Sequence, residues 1–202
     1  MPAPRSSSPE AERQEEPRRA MREPLDTASD ALLATRAADG DARAFEALVR
    51  RHGPFLRAFA LRLLRSNADA DDVVQEALIT AWQKLDMLAD PSKARSWLAT
   101  IVSRTATDRM RSARRTEPIE ALELPSLDAG PEASAMASSR VRALRAVLAE
   151  LPEEQREVWW RKEVGALSYD EIAEQLEIPV STVRGRLARA RQFVLERMEE
   201  WR

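Results

Sequence analysis

Residues 168–191 read SYDEIAEQLEIPVSTVRGRLARAR, two short amphipathic segments separated by a break. Ser168 is placed to cap the first segment, and Glu171, three residues on, completes a capping box. Ile172, Ala173 and Leu176 form its inward face, with the small Ala173 allowing a second helix to cross closely. Glu177-Ile178-Pro179 ends the segment. Glu177 stands where such turns often use glycine, which predicts either a strained backbone there or a slightly different turn. Ser181 or Thr182 is the predicted cap of the second segment, whose inward face is Val183, Leu187, Ala190 and Val194. Two such helices joined by a tight turn form a helix-turn-helix, in which the second helix lies in the DNA major groove.

The charges point the same way. Arg184, Arg186, Arg189 and Arg191 fall within eight residues, with no acid between Glu177 and Glu196. A solvated helix face usually interleaves glutamate at spacing four, and none is present. On a helical wheel Arg184 and Arg191 lie on one flank of the apolar sector, and Arg186 and Arg189 on the other. Charge that brackets a packed face suits phosphates on both walls of a groove. An arginine can also pair bidentately with guanine, which discriminates between bases by about 1–3 kcal/mol.

The 202 residues carry a formal net charge of −2; 33% are charged, and only five are glycine and one tyrosine. That composition favours helices, since strands draw on β-branched and aromatic residues. The reading is all-α: two small helical domains joined by a flexible acidic linker. The chain has no cysteine, which excludes disulfides and zinc-thiolate sites and fits a reducing cytoplasm. No apolar run approaches the roughly 20 residues that span a bilayer. Enzyme chemistry is not indicated. The single histidine, His52, reads as a surface residue beside Gly53, and there is no glycine-rich phosphate loop or metal-ligand cluster. No cofactor is expected.

Charge and punctuation divide the chain. Residues 1–28 mix charges and prolines without apolar periodicity and read as a disordered tail. Residues 29–115 hold 15 basic and 11 acidic residues. Here Ala44, Leu48, Phe55, Phe59 and Leu63 form a core-facing helical stripe. Asn67 is the predicted N-cap of ADADDVVQEALITAWQKLDML, whose early acids favour the helix dipole. Asp90-Pro91 interrupts the pattern, and a further helix is predicted from about Ser92 to Arg115, giving four helices in this span. Residues 116–139 hold five acids, no base, three prolines and a glycine and read as a linker. The helical pattern resumes over 140–202, where 12 bases balance 12 acids. Of Trp159 and Trp160, one ring is expected in the core and the other partly exposed.

Taken in order, NADADDVVQEALITAWQKL, ARSWLATIVSRTATDRMRSARR and LPEEQREVWWRKEVGALSYDEIAEQLEIPVSTVRGRLARAR resemble the sigma-70 family of bacterial RNA polymerase initiation factors. The absence of any domain between the two blocks resembles its extracytoplasmic-function (ECF) group. The resemblance runs from about Asp30 to Met198. It implies that the DDVVQE helix docks on the coiled-coil clamp of the largest subunit of core RNA polymerase through Asp72, Gln75, Glu76, Ile79 and Trp82. Residue spacing alone also permits an acid-rich helix start that serves only its own dipole.

The resemblance further implies that the helix around residues 96–115 recognises and opens the promoter −10 element. Arg104, Arg109, Arg111, Arg114 and Arg115 would hold the melted strand, while Trp97 and Ile101 pack inward. Arg104 stands where many relatives carry asparagine. Arg184 and Arg189 would contact base edges of the −35 element, with Thr182 and Arg186 nearer the phosphates. The acidic linker would thread the active-site cleft, and an anti-sigma factor is implied as a further partner. The competing reading is a helix-turn-helix regulator that binds operator DNA without joining the polymerase.

Overall fold

The computed structural model describes residues 25–116 and 135–199, with side chains for 25–113 and 141–199. Residues 1–24, most of the acidic linker and the last three residues lie outside the described residues. The described chain consists of eight α-helices and shorter turns: α1 (Asp30–Ala38), α2 (Ala42–Leu64), α3 (Asn67–Gln83), α4 (Ala94–Thr116), α5 (Ala135–Glu150), α6 (Glu153–Trp159), α7 (Tyr169–Leu176) and α8 (Val180–Arg197). The first four form one bundle, as four helices were predicted there.

Local chemistry explains most of the helix ends. Asp41 caps α2 by accepting from the Arg43 and Ala44 amides, and Asp90 caps the 3₁₀ turn that leads into α4. Ser66, not the predicted Asn67, caps α3 by accepting from the Asp69 amide; Asn67 is the first helical residue. Ser168 and Glu171 form the predicted capping box of α7. Glu177 ends that helix at φ 55°, ψ 42°, the strained left-handed geometry expected of it. Neither Ser181 nor Thr182 caps α8. The helix starts at Val180, after Pro179, whose carbonyl accepts from the Thr182 and Val183 amides.

Burial follows the predicted stripes. Ala44, Leu48, Phe59 and Leu63 are buried, as are Ile172, Ala173, Val183, Leu187 and Ala190. Phe55, Leu176 and Val194 are half-buried at the margins of these clusters, as are Trp97 and Ile101 on α4. Trp159 and Trp160 share their exposure, both half-buried, and the guanidinium of Arg62 lies 5.0 Å from the Trp160 ring. His52 departs from its surface reading. Helix α2 continues through Gly53-Pro54, so His52 sits mid-helix, 8% exposed, with Nε2 2.8 Å from Asp30 Oδ2. Residues 25–28, assigned to the tail, pack against α1 and α2: Ala28 is buried and Asp26 pairs with Arg50 at 2.8 Å.

The largest core does not stop at the end of the first bundle. Leu56, Phe59, Leu98 and Val102 share one apolar cluster with Val158, Leu167, Ile172 and Val183 of the second half. The contact is tightest at Gly165, where a Cβ would come within 2.8 Å of both Phe59 and Leu167 and 2.9 Å of the Arg161 carbonyl. A π-helical turn, Trp160–Val164, delivers Gly165 to that spot from the end of α6. The two halves therefore meet along a continuous seam in which α7 lies against α4.

Candidate nucleic-acid and partner interfaces

Three surfaces carry the residues singled out from the sequence. The first is on α3. Val73, Ala77 and Ala81 bury one side of the helix against the bundle. The residues at 72, 75, 76, 79 and 82 consequently share the opposite side. Asp72, Gln75 and Glu76 are exposed there, next to Ile79 at 55% and Trp82 at 39% exposure. Trp82 leans on Phe45, ring centroids 5.2 Å apart, which fixes the indole without hiding it. An isoleucine and a tryptophan held in water beside acids form an apolar patch rimmed by charge. The N-terminal acids of α3 are partly engaged within the bundle: Arg57 donates from Nε to Asp71 at 2.6 Å, and Arg109 lies 3.3 Å from Asp69 and 3.7 Å from Asp72. The Arg57 hydrogen bond holds the Asp71 carboxyl below its ordinary pKa.

The second surface is α4. Arg104, Arg109 and Arg111 all project from it, but to different neighbours. Arg109 turns back to α3, as above. Arg104 pairs with Glu174 of α7, and Arg111 reaches Glu177 at 3.0 Å and donates to the Gln175 carbonyl at 2.8 Å. Arg114 and Arg115 belong to the last turn of α4, and their side chains lie outside the described residues. On the N-terminal side of Arg104 the seam is polar. Ser103 donates to Gln175 Oε1 at 2.6 Å, and Thr100 donates to Glu171 at 3.2 Å.

Arg161 is the largest fully buried side chain among the described residues, and its guanidinium donates to the Glu157 carbonyl at 3.2 Å and to Thr107 Oγ1 at 3.0 Å. Its Nε meets no acceptor among the described residues. Burial, reinforced by the nearby Arg111 charge and opposed by that of Glu157, holds its pKa below the ordinary arginine value. Sequence reasoning found neither Gln175 nor Arg161. Each is a polar residue with a side-chain partner from the other half of the chain, Ser103 for Gln175 and Thr107 for Arg161, so no local pattern marks them.

The third surface is α8. Arg184, Ala188 and Arg189 are exposed. Arg184 lies over the Tyr169 ring at 5.5 Å, and no ion pair engages Arg184 or Arg189 among the described residues. Arg186 is drawn to Glu154 at 2.6 Å and is only 18% exposed at its side chain, while Arg191 pairs with Glu163 at 2.6 Å. The Glu163 hydrogen bond raises the Arg191 pKa above its ordinary value. Thr182 is half-buried in the first turn. The arrangement presents two guanidiniums outside any ion pair among the described residues, one on each flank of a helix preceded by a tight turn, a geometry suited to a duplex groove.

Comparison with known proteins identifies the family. Residues 48–116 match the sigma-70 region 2 model and residues 141–194 the sigma-70 region 4 model. The ECF RNA polymerase sigma-E factor of Escherichia coli K12 is 32% identical over 177 residues, covering 82% of this chain and 92% of that protein. That of Haemophilus influenzae is 30% identical over 182 residues, covering 85% and 96% respectively. The solved structure of CnrH in complex with the cytosolic domain of CnrY superposes with a TM-score of 0.50 at 30% identity, covering 86% of this chain and 99% of that one. The fold of the Bartonella quintana sigma factor RpoE, solved with the anti-sigma factor NepR, matches with a TM-score of 0.56 at 24% identity, covering 78% and 98%. With two region matches in order and a sigma-E relative aligned over most of its length, the chain belongs to the ECF group of the sigma-70 family, the factors that join core RNA polymerase and direct transcription initiation at promoters.

Proposed function

We propose that the three surfaces divide the work of initiation among them. Asp72, Gln75, Glu76, Ile79 and Trp82 dock α3 on the coiled-coil clamp of the largest polymerase subunit. Arg104, Arg109, Arg111, Arg114 and Arg115 hold the strand melted at the −10 element, by charge rather than by base stacking. Arg184 and Arg189 read base edges of the −35 element, with Thr182 and Arg186 serving its phosphates. Residues 29–115 and 140–202 are the two working domains, and the acidic linker between them threads the active-site cleft. The protein acts in the cytoplasm by binding, without catalysis of its own. An anti-sigma factor, like the NepR that accompanies the Bartonella relative, is its inhibitory partner.

The observation that carries this reading is the exposed pair Ile79 and Trp82 within an otherwise acidic face. Apolar side chains held in water on the outer side of a packed helix suit a protein partner that covers them. The test is run-off transcription with purified core polymerase on a promoter panel, with and without this protein. Initiation at defined start sites is the expected result, abolished by Ile79→Glu and relaxed in its −35 preference by Arg184→Ala with Arg189→Ala. No stimulation of the polymerase, together with tight duplex binding by the protein alone, would mean an operator-binding regulator instead.

A further inference from the structure

Arg184 and Arg189 are alike in exposure but not in support. The Arg184 guanidinium lies 5.5 Å from the centroid of the Tyr169 ring, whereas Arg189 makes no ion pair, hydrogen bond or ring contact among the described residues. Beside Arg189 stands Gly185, where a Cβ would touch nothing but its Nη1, at 3.5 Å. One arginine rests on a ring; the other lies along bare helix.

The ring is a fixed platform. Tyr169 is the first residue of α7, directly after Ser168, and the capping box of Ser168 and Glu171 pins the backbone there. Its side chain is half-buried and packs against the main apolar cluster. Lys162 lies 4.7 Å from the ring centroid and is itself tied down, its Nζ donating to the Leu167 carbonyl at 2.8 Å. Arg191, on the same flank of α8 as Arg184, is kept from taking its place: Nε and Nη2 both donate to Glu163 Oε1, at 2.9 and 2.6 Å. The rise in the Arg191 pKa comes first from Glu163 and in smaller part from the Tyr169 hydroxyl, so the phenol belongs to the same network.

A guanidinium stacked on an aromatic face keeps its fork of donors in one plane. Bidentate pairing with a base needs that plane aligned with the base edge. A group already aligned gives up less freedom on binding.

We propose that Tyr169 is a positioning residue for the −35 element: its ring sets the orientation of Arg184 before DNA arrives, so Arg184 discriminates sharply between bases while Arg189, without a platform, adapts. This rests on the assignment of Arg184 to a base edge of that element.

The test uses the full chain joined to core polymerase, transcribing a promoter library whose upstream element is randomised. Sequencing the transcripts through a barcode gives the base preference at each position. The parent is compared with Arg184→Ala, Arg189→Ala, Tyr169→Phe, Tyr169→Leu and the Tyr169→Leu/Arg184→Ala double variant. Thermal melting checks each fold, and Tyr169→Met, which keeps a long apolar side chain on the core, stands in should the leucine protein melt early.

Arg184→Ala is expected to relax the preference at one base pair. Tyr169→Leu should relax it at the same pair by about three- to tenfold, a part of what a bidentate arginine supplies, and leave the pair read by Arg189 unchanged. Tyr169→Phe keeps the ring and should keep the preference. The double variant should be no less selective than Arg184→Ala alone, because the ring acts through that arginine. A uniform loss of transcription over all sequences, with the base profile intact, would make Tyr169 a phosphate contact and overturn the proposal. So would a phenylalanine protein as relaxed as the leucine one, since the hydroxyl would then be the active part. A preference that depends on Arg184 but survives loss of the ring overturns the positioning and leaves the base assignment standing. A profile untouched by Arg184→Ala removes both.

Discussion

Helices α4 and α8 are both long, amphipathic and arginine-rich, yet they meet opposite fates. On α4, Arg104 and Arg111 are engaged by acids from the other half of the chain, across the seam. On α8, Arg186 and Arg191 are engaged by acids of their own half, Glu154 and Glu163, while Arg184 and Arg189, one on each flank, stay exposed and outside any ion pair among the described residues. Charge on a helix is thus not the same as charge available to a ligand. Sequence decides which guanidiniums exist, while packing between the halves decides which of them face water.

The largest effect on this contrast is expected from Phe59→Ala. Phe59 is buried in the core that both halves share and sits directly beneath Gly165. Emptying that site should cost about 3–5 kcal/mol, the usual range for a buried aromatic. Chemical denaturation followed by tryptophan fluorescence measures it. If the halves are one cooperative unit, one transition shifts as a whole. If instead only the first half loses stability and a separate second transition stays in place, the seam contributes little, and the covered state of α4 loses its main support.

A smaller effect separates the two helices directly. Arg189→Ala removes an exposed side chain, so the fold should keep its stability while binding to −35 duplex weakens by about 1–3 kcal/mol for the lost base contact. Arg111→Ala removes a donor from the Gln175 carbonyl and a partner from Glu177, and should cost about 1 kcal/mol of stability with no effect on the −35 duplex. Thermal unfolding and duplex titration on both proteins give the two answers. Equal stability losses would erase the distinction between a covered and a free helix.

Much of this was legible in the sequence, for reasons of range. The capping box of Ser168 and Glu171, the left-handed Glu177 and the buried stripe of Val183, Leu187 and Ala190 depend on residues within a few positions of one another. The polar face of α3 was legible too, because Asp72, Gln75 and Glu76 fall at spacings of three and four, which puts them on one side of a helix. What escaped notice depends on distant chain. His52 is buried with its ring against Asp30, 22 residues earlier, and Gly53-Pro54 concealed that α2 continues. Gln175 and Arg161 look like solvated polar residues until α4 is laid against them. The start of α8 was misjudged locally: Ser181 and Thr182 are good caps, but Pro179 fixes the chain for helix entry at Val180, ahead of both.

The smallest expected effect lies at Glu177, where local strain and the seam oppose each other. Its left-handed backbone costs a non-glycine residue about 1 kcal/mol or somewhat more, and glycine would relieve that while losing about 0.5–1 kcal/mol to greater freedom in the unfolded chain. The same change removes the carboxylate that meets Arg111, an exposed contact 74% open at the glutamate side chain and therefore worth between nothing and about 1 kcal/mol. Glu177→Gly should thus leave stability within about 1 kcal/mol of the parent. Glu177→Gln keeps the strain and loses only the charge, so it should be no more stable than the parent. Glu177→Gly is therefore expected to melt at or above Glu177→Gln in a thermal scan. A glycine protein that melts clearly below the glutamine one would mean that the turn carries no strain worth relieving, and that the glutamate side chain holds α7 on α4 through contacts other than its charge.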